Sequence, residues 1–245
     1  SMGIASTVTA SDDVRFWAGD TYVNRATAPF RVTEAGLLTA VGITSLNMKS
    51  YTNFETATRF TQTTDGAATI TFNTSGLRLE TSATATSSSL NEWFTTQNVF
   101  NTSPTFTTSF EWGGIPSSGG VGFMGLGAMA TFSGSGATFT GSHIGFEFQY
   151  QAGVWNLYAT FNNGGTEQFS LLTTMATSDK FDLLLKVNGT SSVDYYYRKN
   201  SGTLTKTTLT GTVPSGVSNK VQFGISNKGS ANNIICLVYC ATYER

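Results

Sequence analysis

The sequence predicts an all-β protein, a two-sheet sandwich or jelly roll, preceded by a short segment of different character. Three observations carry this prediction. Apolar and polar residues alternate in short runs rather than recurring at the spacing of a helical face. Clusters of Gly, Asn and Ser break those runs about every 8 to 12 residues. Ser, Thr and Gly fill about 38% of the 245 positions, yet aromatic residues still reach 13%. A disordered chain lacks that much aromatic surface to bury, and a 26.1 kDa chain can enclose a substantial core. Parallel βαβ architecture is excluded because no crossover helices are available.

Taken in order, Ser1-Met2-Gly3 reads as an added leader and is set aside from fold reasoning. Residues 4–45 then hold a cluster of charges (Asp12, Asp13, Arg15, Asp20, Arg25, Arg31, Glu34) and end in the apolar run from Leu37 to Ile43. A boundary is expected near Ser45, leaving 46–245 as the sandwich. A segment of roughly 40 residues rarely encloses enough core alone, so it must dock or oligomerise.

Strands are predicted at 68–72, 77–81, 106–112, 122–128 and 144–150, with a single helical turn over 88–96 around Leu90, Trp93 and Phe94. A hairpin follows. Trp155, Leu157, Ala159 and Phe161 point inward, Asn156, Tyr158 and Thr160 outward, and Asn162-Asn163-Gly164-Gly165 makes the turn. Phe181 to Val187 buries its odd positions, as do Val193, Tyr195 and Tyr197. Lys199-Asn200-Ser201-Gly202 turns the chain again, and strands at 220–226 and 234–243 close it.

The charge pattern narrows the function. The net charge is −1, from 14 basic and 15 acidic side chains, and no Lys or Arg occurs between Leu79 and Asp179. Neither nucleic acid nor an anionic membrane is an expected partner. No run approaches the roughly 18 apolar residues of a membrane span, so membrane insertion is not expected. Cys236 and Cys240, about 13 Å apart along one strand, are expected as two buried free thiols on one face.

Catalytic and metal signals are weak. On the strand Glu147-Phe148-Gln149-Tyr150-Gln151, glutamines stand where the partner acid of a glycoside hydrolase would be needed. His143, the sole histidine, reads as a surface or loop residue without a triad. The glycines of 119–123 have no following helix and no Lys for phosphate. Asp179 and Asp182 are the closest acidic pair apart from Asp12-Asp13, with no calcium-ligand cluster around them. No cofactor and no metal is called for.

The outward parities suggest a binding patch instead. Glu147, Gln149 and Gln151 share one outer face, Asn156 and Tyr158 lie outward on the next strand, and Tyr196 on a later one. Glu147, Gln149, Asn156, Tyr158 and Tyr196 are therefore the candidate ligand-binding residues. Trp155, by its parity, belongs to the core.

Two resemblances sharpen this reading. Phe16-Trp17-Ala18-Gly19, Asn24-Arg25-Ala26-Thr27-Ala28-Pro29-Phe30-Arg31-Val32 and Gly36-Leu37-Leu38-Thr39-Ala40 together resemble a recurrent segment of bacteriophage tail fibres and receptor-binding proteins. That resemblance implies a homotrimer in which this segment is an intertwined collar, with Phe16, Trp17, Arg25, Pro29, Phe30 and Val32 at the subunit interface. The remainder is similar, by strand order and turn placement, to concanavalin A-like jelly rolls. The combined expectation is a non-catalytic virion protein of the tail or fibre. Its partners would be host cell-surface carbohydrate and other tail proteins. The alternatives are a secreted carbohydrate-binding or glycoside-degrading domain, and a purely structural fibre domain.

Overall fold

The structure is a computed structural model. It describes residues 2–4, 14–19, 21, 23–28, 30–33, 38–40, 49–52, 60–73, 75–83, 88–94, 103–113, 119–127, 132–133, 136–137, 141–165, 167–214, 220–228 and 233–244. The chain divides into two units, Ser1–Leu46 and Asn47–Arg245.

The first unit is a small antiparallel sheet of β1 (Met2–Ile4), β2 (Val14–Ala18), β3 (Phe30–Thr33) and β4 (Leu38–Ala40), paired in chain order. A 3-10 turn covers Arg25–Thr27. Met2 and Gly3, set aside as part of an added leader, thus take part in the fold with Ile4 as an edge strand. Gly3 is opposite Trp17, and the indole fills the space that a Cβ at Gly3 would need. Val14, Trp17 and Ala28 form a miniature core.

The second unit is the sandwich. Its strands are β5 (Lys49–Thr52), β6 (Phe60–Asp65), β7 (Thr69–Asn73), β8 (Gly76–Glu80), β9 (Ser88–Phe94) and β10 (Thr105–Gly113). Next come β11 (Val121–Gly127), the short pair β12 (Phe132–Ser133) and β13 (Gly136–Ala137), β14 (His143–Gln151) and β15 (Val154–Asn162). Then follow β16 (Gln168–Met175), β17 (Lys180–Asn188), β18 (Ser192–Lys199), β19 (Thr205–Thr210), β20 (Lys220–Ser226) and β21 (Ile235–Glu244). One sheet runs β19-β18-β17-β10-β21-β8-β7, with β5 also on β21; the other runs β16-β15-β14-β11-β20-β9-β6. Every pairing within both sheets is antiparallel. This is the jelly-roll sandwich that the alternation predicts.

The core lies between the sheets because period-two alternation sends one side of each strand inward. Phe110 of β10 stacks on Phe181 at 5.1 Å and meets Phe148 of the opposite sheet at 5.1 Å. Trp112 packs on Trp155 at 4.7 Å, and Phe146 meets Tyr195 edge-on at 5.5 Å. Tyr195 is fully buried, and its hydroxyl donates across the seam to the Thr160 carbonyl at 2.7 Å, so the polar atom is satisfied. Burial pushes the Tyr195 phenol well above its ordinary range.

Two expectations are corrected. The segment read as a helical turn at 88–96 is strand β9, paired with β20 on one side and β6 on the other. Ladder bonds on both edges outweigh the local helix-like spacing of its apolar residues. Cys236 and Cys240 are free, but only Cys236 is buried. A bulge against Ser109 and Phe110 inserts Tyr239 as an extra residue on β21, which turns Cys240 to the other face.

Replacing Phe110 with Ala is expected to cost about 3–5 kcal/mol, since it opens a cavity between both sheets. Urea unfolding of the variant measures it; a loss below about 1 kcal/mol would show that the seam does not carry the fold.

Candidate functional site

The register of β14 and β15 decides which side chains meet. Ile144, Phe146, Phe148 and Tyr150 pair with Phe161, Ala159, Leu157 and Trp155 on the inner face. The outer face therefore carries His143, Glu147, Gln149 and Gln151 on β14, and Asn156, Tyr158, Thr160 and Asn162 on β15. Glu147 pairs with Tyr158 and Gln149 with Asn156, so four of the five candidate ligand-binding residues share one patch. Tyr196 does not join them. The chain crosses to the other sheet after β16, and Tyr196 lies on β18 under Lys206, whose Nζ sits 5.6 Å from its ring. Strand parity assigns a face within a sheet but not the sheet itself.

The patch is not uniformly solvated. His143 is fully buried, Glu147 is 2% exposed and Thr160 fully buried, whereas Gln151 is exposed and Tyr158 half-buried. Part of the cover comes from Phe123 of β11, which lies opposite Glu147. A Cβ at Gly145 would come within 2.6 Å of the Phe123 ring, so the ring lies directly on a glycine floor. It also meets His143 edge-on at 5.4 Å. The expectation of a surface histidine is thus overturned: His143 points outward from its strand yet is fully buried, with the Phe123 ring edge-on to it.

Hydrogen bonds run through the patch in one direction. The Tyr158 hydroxyl donates to Gln151 Oε1 at 3.2 Å, and Gln151 Nε2 donates to Gln149 Oε1. Gln149 Nε2 donates to Glu147 Oε1 at 2.6 Å. Glu147 in turn hydrogen-bonds to Glu167, which also accepts from Thr160 Oγ1 at 2.6 Å. His143 Nε2 lies 3.2 Å from the same Glu167 oxygen, and its Nδ1 lies 2.8 Å from the Gly141 carbonyl.

Electrostatics accounts for this polarity. Burial raises the Glu147 carboxyl from 4.5 to about 8, with the Glu167 charge beside it acting in the same direction. Burial also acts to raise Glu167, but hydrogen bonds from His143 and Thr160 outweigh that and hold it below its ordinary value. At neutral pH Glu147 is the protonated donor and Glu167 the anion that ends the chain.

Glu167, Phe169 and Leu171 were not singled out by the sequence. Phe169 is 66% exposed and Leu171 54% exposed on edge strand β16, and Phe169 meets the Tyr158 ring edge-on at 6.0 Å. A signal existed in the same alternation that marks Tyr158, since Leu171 stands opposite Tyr158 and Phe169 opposite Thr160. The exposed end of the patch therefore combines amides, a phenol and an aromatic ring, without Lys or Arg on β14, β15 or β16.

This arrangement suits holding a neutral polyhydroxylated ligand better than cleaving one. Glycoside hydrolysis needs two carboxyls about 5 to 9 Å apart with the bond between them. Glu147 and Glu167 instead hydrogen-bond to each other, leaving no room for a substrate oxygen.

The remaining candidates are placed as follows. Trp155 is in the core at 3% exposure. Asp179 accepts from the Ala176 amide and from Asn200 Nδ2, and pairs with Lys199 at 2.7 Å. Asp182 accepts from Ser109 Oγ and pairs with Arg198 at 2.6 Å. Among the described residues no three His, Cys, Asp or Glu side chains gather as a metal site. In the first unit Trp17 and Arg25 are buried, Phe16 and Val32 are half-buried, and Phe30 is exposed and touches Phe16 at 5.6 Å. Pro29 lies outside the described residues.

Comparison with known proteins places the fold. Peanut lectin superposes with a TM-score of 0.59 at 14% identity, covering 82% of this chain and 97% of that one. A protein of unknown function from Shewanella oneidensis MR-1 gives 0.57 at 13% identity, covering 83% and 88%. The CBM2 module of the evolved Dit of Lactobacillus casei BL23 phage J-1 gives 0.53 at 11% identity, covering 81% and 95%. No protein-family model and no curated protein matches the sequence. The fold is the jelly-roll sandwich that legume lectins also have.

Unfolded chain releases the Glu147 proton near 4.5, whereas the folded protein holds it to about 8. Stability from this group is therefore full below about 4.5 and lost as pH rises to about 8. The stability difference between wild type and Glu147→Gln is expected to fall by up to about 1.4 kcal/mol per pH unit across that window. Urea titrations from pH 4 to 9 measure it; a pH-independent difference would contradict a buried, protonated Glu147.

Proposed function

We propose that the protein is a non-catalytic receptor-binding component of a phage tail or fibre, whose sandwich recognises host-surface glycan. The observation that carries the glycan reading is the exposed end of the patch on β14, β15 and β16. Gln149 and Gln151 offer neutral hydrogen-bonding groups, while Asn156 is buried at 7% exposure, and Tyr158 and Phe169 offer aromatic faces for sugar C–H groups. The lectin-like fold supports the reading as analogy, and the phage Dit module supports a virion setting in the same way.

The first unit is the proposed trimerising collar. Its resemblance to tail-fibre segments supports this, as does apolar surface left open on Val23, at 83% exposure, and on Phe30. Trp17 is committed to its own core, so the subunit contact falls to Phe16, Phe30, Val32 and Val23 rather than to the indole. Three linked heads convert weak single-site binding into avidity. The other proposed partners are further tail proteins, and the site of action is the virion exterior.

Glycan arrays and adsorption to host cells test the binding. Tyr158→Ala and Phe169→Ala are each expected to weaken glycan binding about tenfold while leaving thermal unfolding within a few degrees. Full binding by both variants would remove the patch from consideration. Light scattering is expected to give three times the 26.1 kDa chain mass; a monomer at high concentration would overturn the collar.

A further inference from the structure

We propose that Glu147, Glu167 and His143 form a proton-operated clasp tying edge strand β16 to β14, closed while Glu147 keeps its proton and opened when that proton leaves. Its bearing on binding rests on the glycan reading and supplies the regulation of that same face. The clasp itself needs no ligand.

The register builds the clasp across three strands. His143 and Glu147 share the outer face of β14 on either side of Gly145, which stands opposite Thr160 of β15. Thr160 in turn stands opposite Phe169 of β16. Glu167 immediately precedes β16 and shares a face with Phe169, two positions on. Its Oε1 accepts from Thr160 Oγ1 at 2.6 Å and lies 3.2 Å from His143 Nε2, and its carboxyl also meets Glu147. One side chain at the start of β16 thus contacts β15 and two positions on β14.

The proton follows from those partners. An ionised carboxylate is an acceptor alone, so two carboxyls in hydrogen-bond contact need one proton between them. Glu167 is 28% exposed at its side chain and takes hydrogen bonds from Thr160 and His143, which suits the anion. Glu147 is 2% exposed, so the proton belongs there. Among the described residues no neighbouring strand brings an offsetting cation. The outer face of β11 sets Val121, Phe123, Gly125 and Gly127 against β14, and β15 sets Tyr158 and Thr160. Lys228, beyond β20, acts on Glu147 less than the Glu167 charge does. Burial holds the Glu147 proton to about 8, so the clasp is closed at neutral and lower pH and opens as pH rises through that value.

Opening is confined to one end of β16. Among the described strands β16 pairs with β15 alone. At its far end Met175 is buried and Lys199 Nζ donates to the Thr174 carbonyl at 2.9 Å, which holds that end independently. Once Glu147 ionises, two anions touch, and Glu167 is the one with access to water. Phe169 moves with it, and leaves the Tyr158 ring that it meets edge-on at 6.0 Å. The aromatic wall of the binding face is therefore present in proportion to protonated Glu147.

The test follows the full chain without ligand by NMR, reading the Glu147 carboxyl carbon and the Phe169 ring through the alkaline range. Both are expected to change with one midpoint near 8, while β17 and β18 stay in place. Glycan arrays probed with serial dilutions of the protein should lose about tenfold in apparent affinity from about pH 7 to about pH 9, since the closed fraction alone binds. Glu147→Gln, whose amide repeats the hydrogen bonds of the protonated carboxyl, should keep Phe169 in its closed position throughout and remove the pH dependence. Should that variant fold poorly, Glu167→Gln should lower the Glu147 midpoint and also keep Phe169 in place. An amide at 167 still donates to the ionised carboxylate. A Phe169 transition that persists in Glu147→Gln assigns the event to His143 and overturns the clasp. A Glu147 carbon that titrates while Phe169 stays still overturns it equally. A shared transition, with arrays blank at both pH values, leaves the clasp standing and overturns the glycan reading.

Discussion

Strand β14 is buried on both faces, and that constraint organises the sandwich around it. Its inner face must close the seam, which Ile144, Phe146 and Phe148 do. Its outer face holds His143 and Glu147 beside Phe123, all three buried, and a buried carboxyl there cannot stay charged without a counter-charge of its own. Glu147 answers by keeping its proton, and Glu167 takes the negative charge with His143 and Thr160 around it. That choice propagates. Because Glu147 Oε1 accepts from Gln149, the Gln149 oxygen is turned toward Gln151, and the Gln151 oxygen toward Tyr158. Aligned donors polarise one another, so a buried proton sets the orientation of exposed amides.

Preorganisation of this kind bears on binding. Glutamine side chains lose up to about 2 kcal/mol of rotamer freedom when fixed. Here the loss is taken on folding rather than on meeting a ligand. The face carries no Lys or Arg on β14, β15 or β16, and its anionic end, the Glu167 side chain, is 28% exposed beside the amides, the phenol, Phe169 and Leu171. Phe169 and Leu171 stand out because a monomeric soluble domain gains nothing from exposing them.

The layout of the sandwich was legible because period-two alternation is a direct consequence of strand geometry. Trp155, Leu157, Ala159 and Phe161 announced the core, and Glu147, Gln149, Asn156 and Tyr158 announced a shared face. What alternation does not encode is which sheet a strand enters, and so Tyr196 is on the far side of the molecule. Nor does it say that an outward face is covered. His143 is buried with the Phe123 ring at its edge, and that ring lies where Gly145 and Gly125 lack side chains, a fit that depends on β11 pairing with β14. Glu167 sits beyond the hairpin turn, and its meeting with Glu147 depends on the turn closing. Cys240 changed face through one extra residue at Tyr239, and a bulge leaves no mark in a hydrophobic pattern. At β9, Leu90, Trp93 and Phe94 imitate a helical spacing that pairing on both edges overrides.

The central claim is that the exposed end of the β14–β16 face is where ligand sits. Amide chemical-shift mapping of labelled protein, titrated with a glycan fragment from host cells, tests it most directly. The account predicts that the largest shifts fall on Gln149, Gln151, Tyr158 and Phe169, with β17, β18 and β19 unmoved. Shifts concentrated on the β17–β19 face would contradict it.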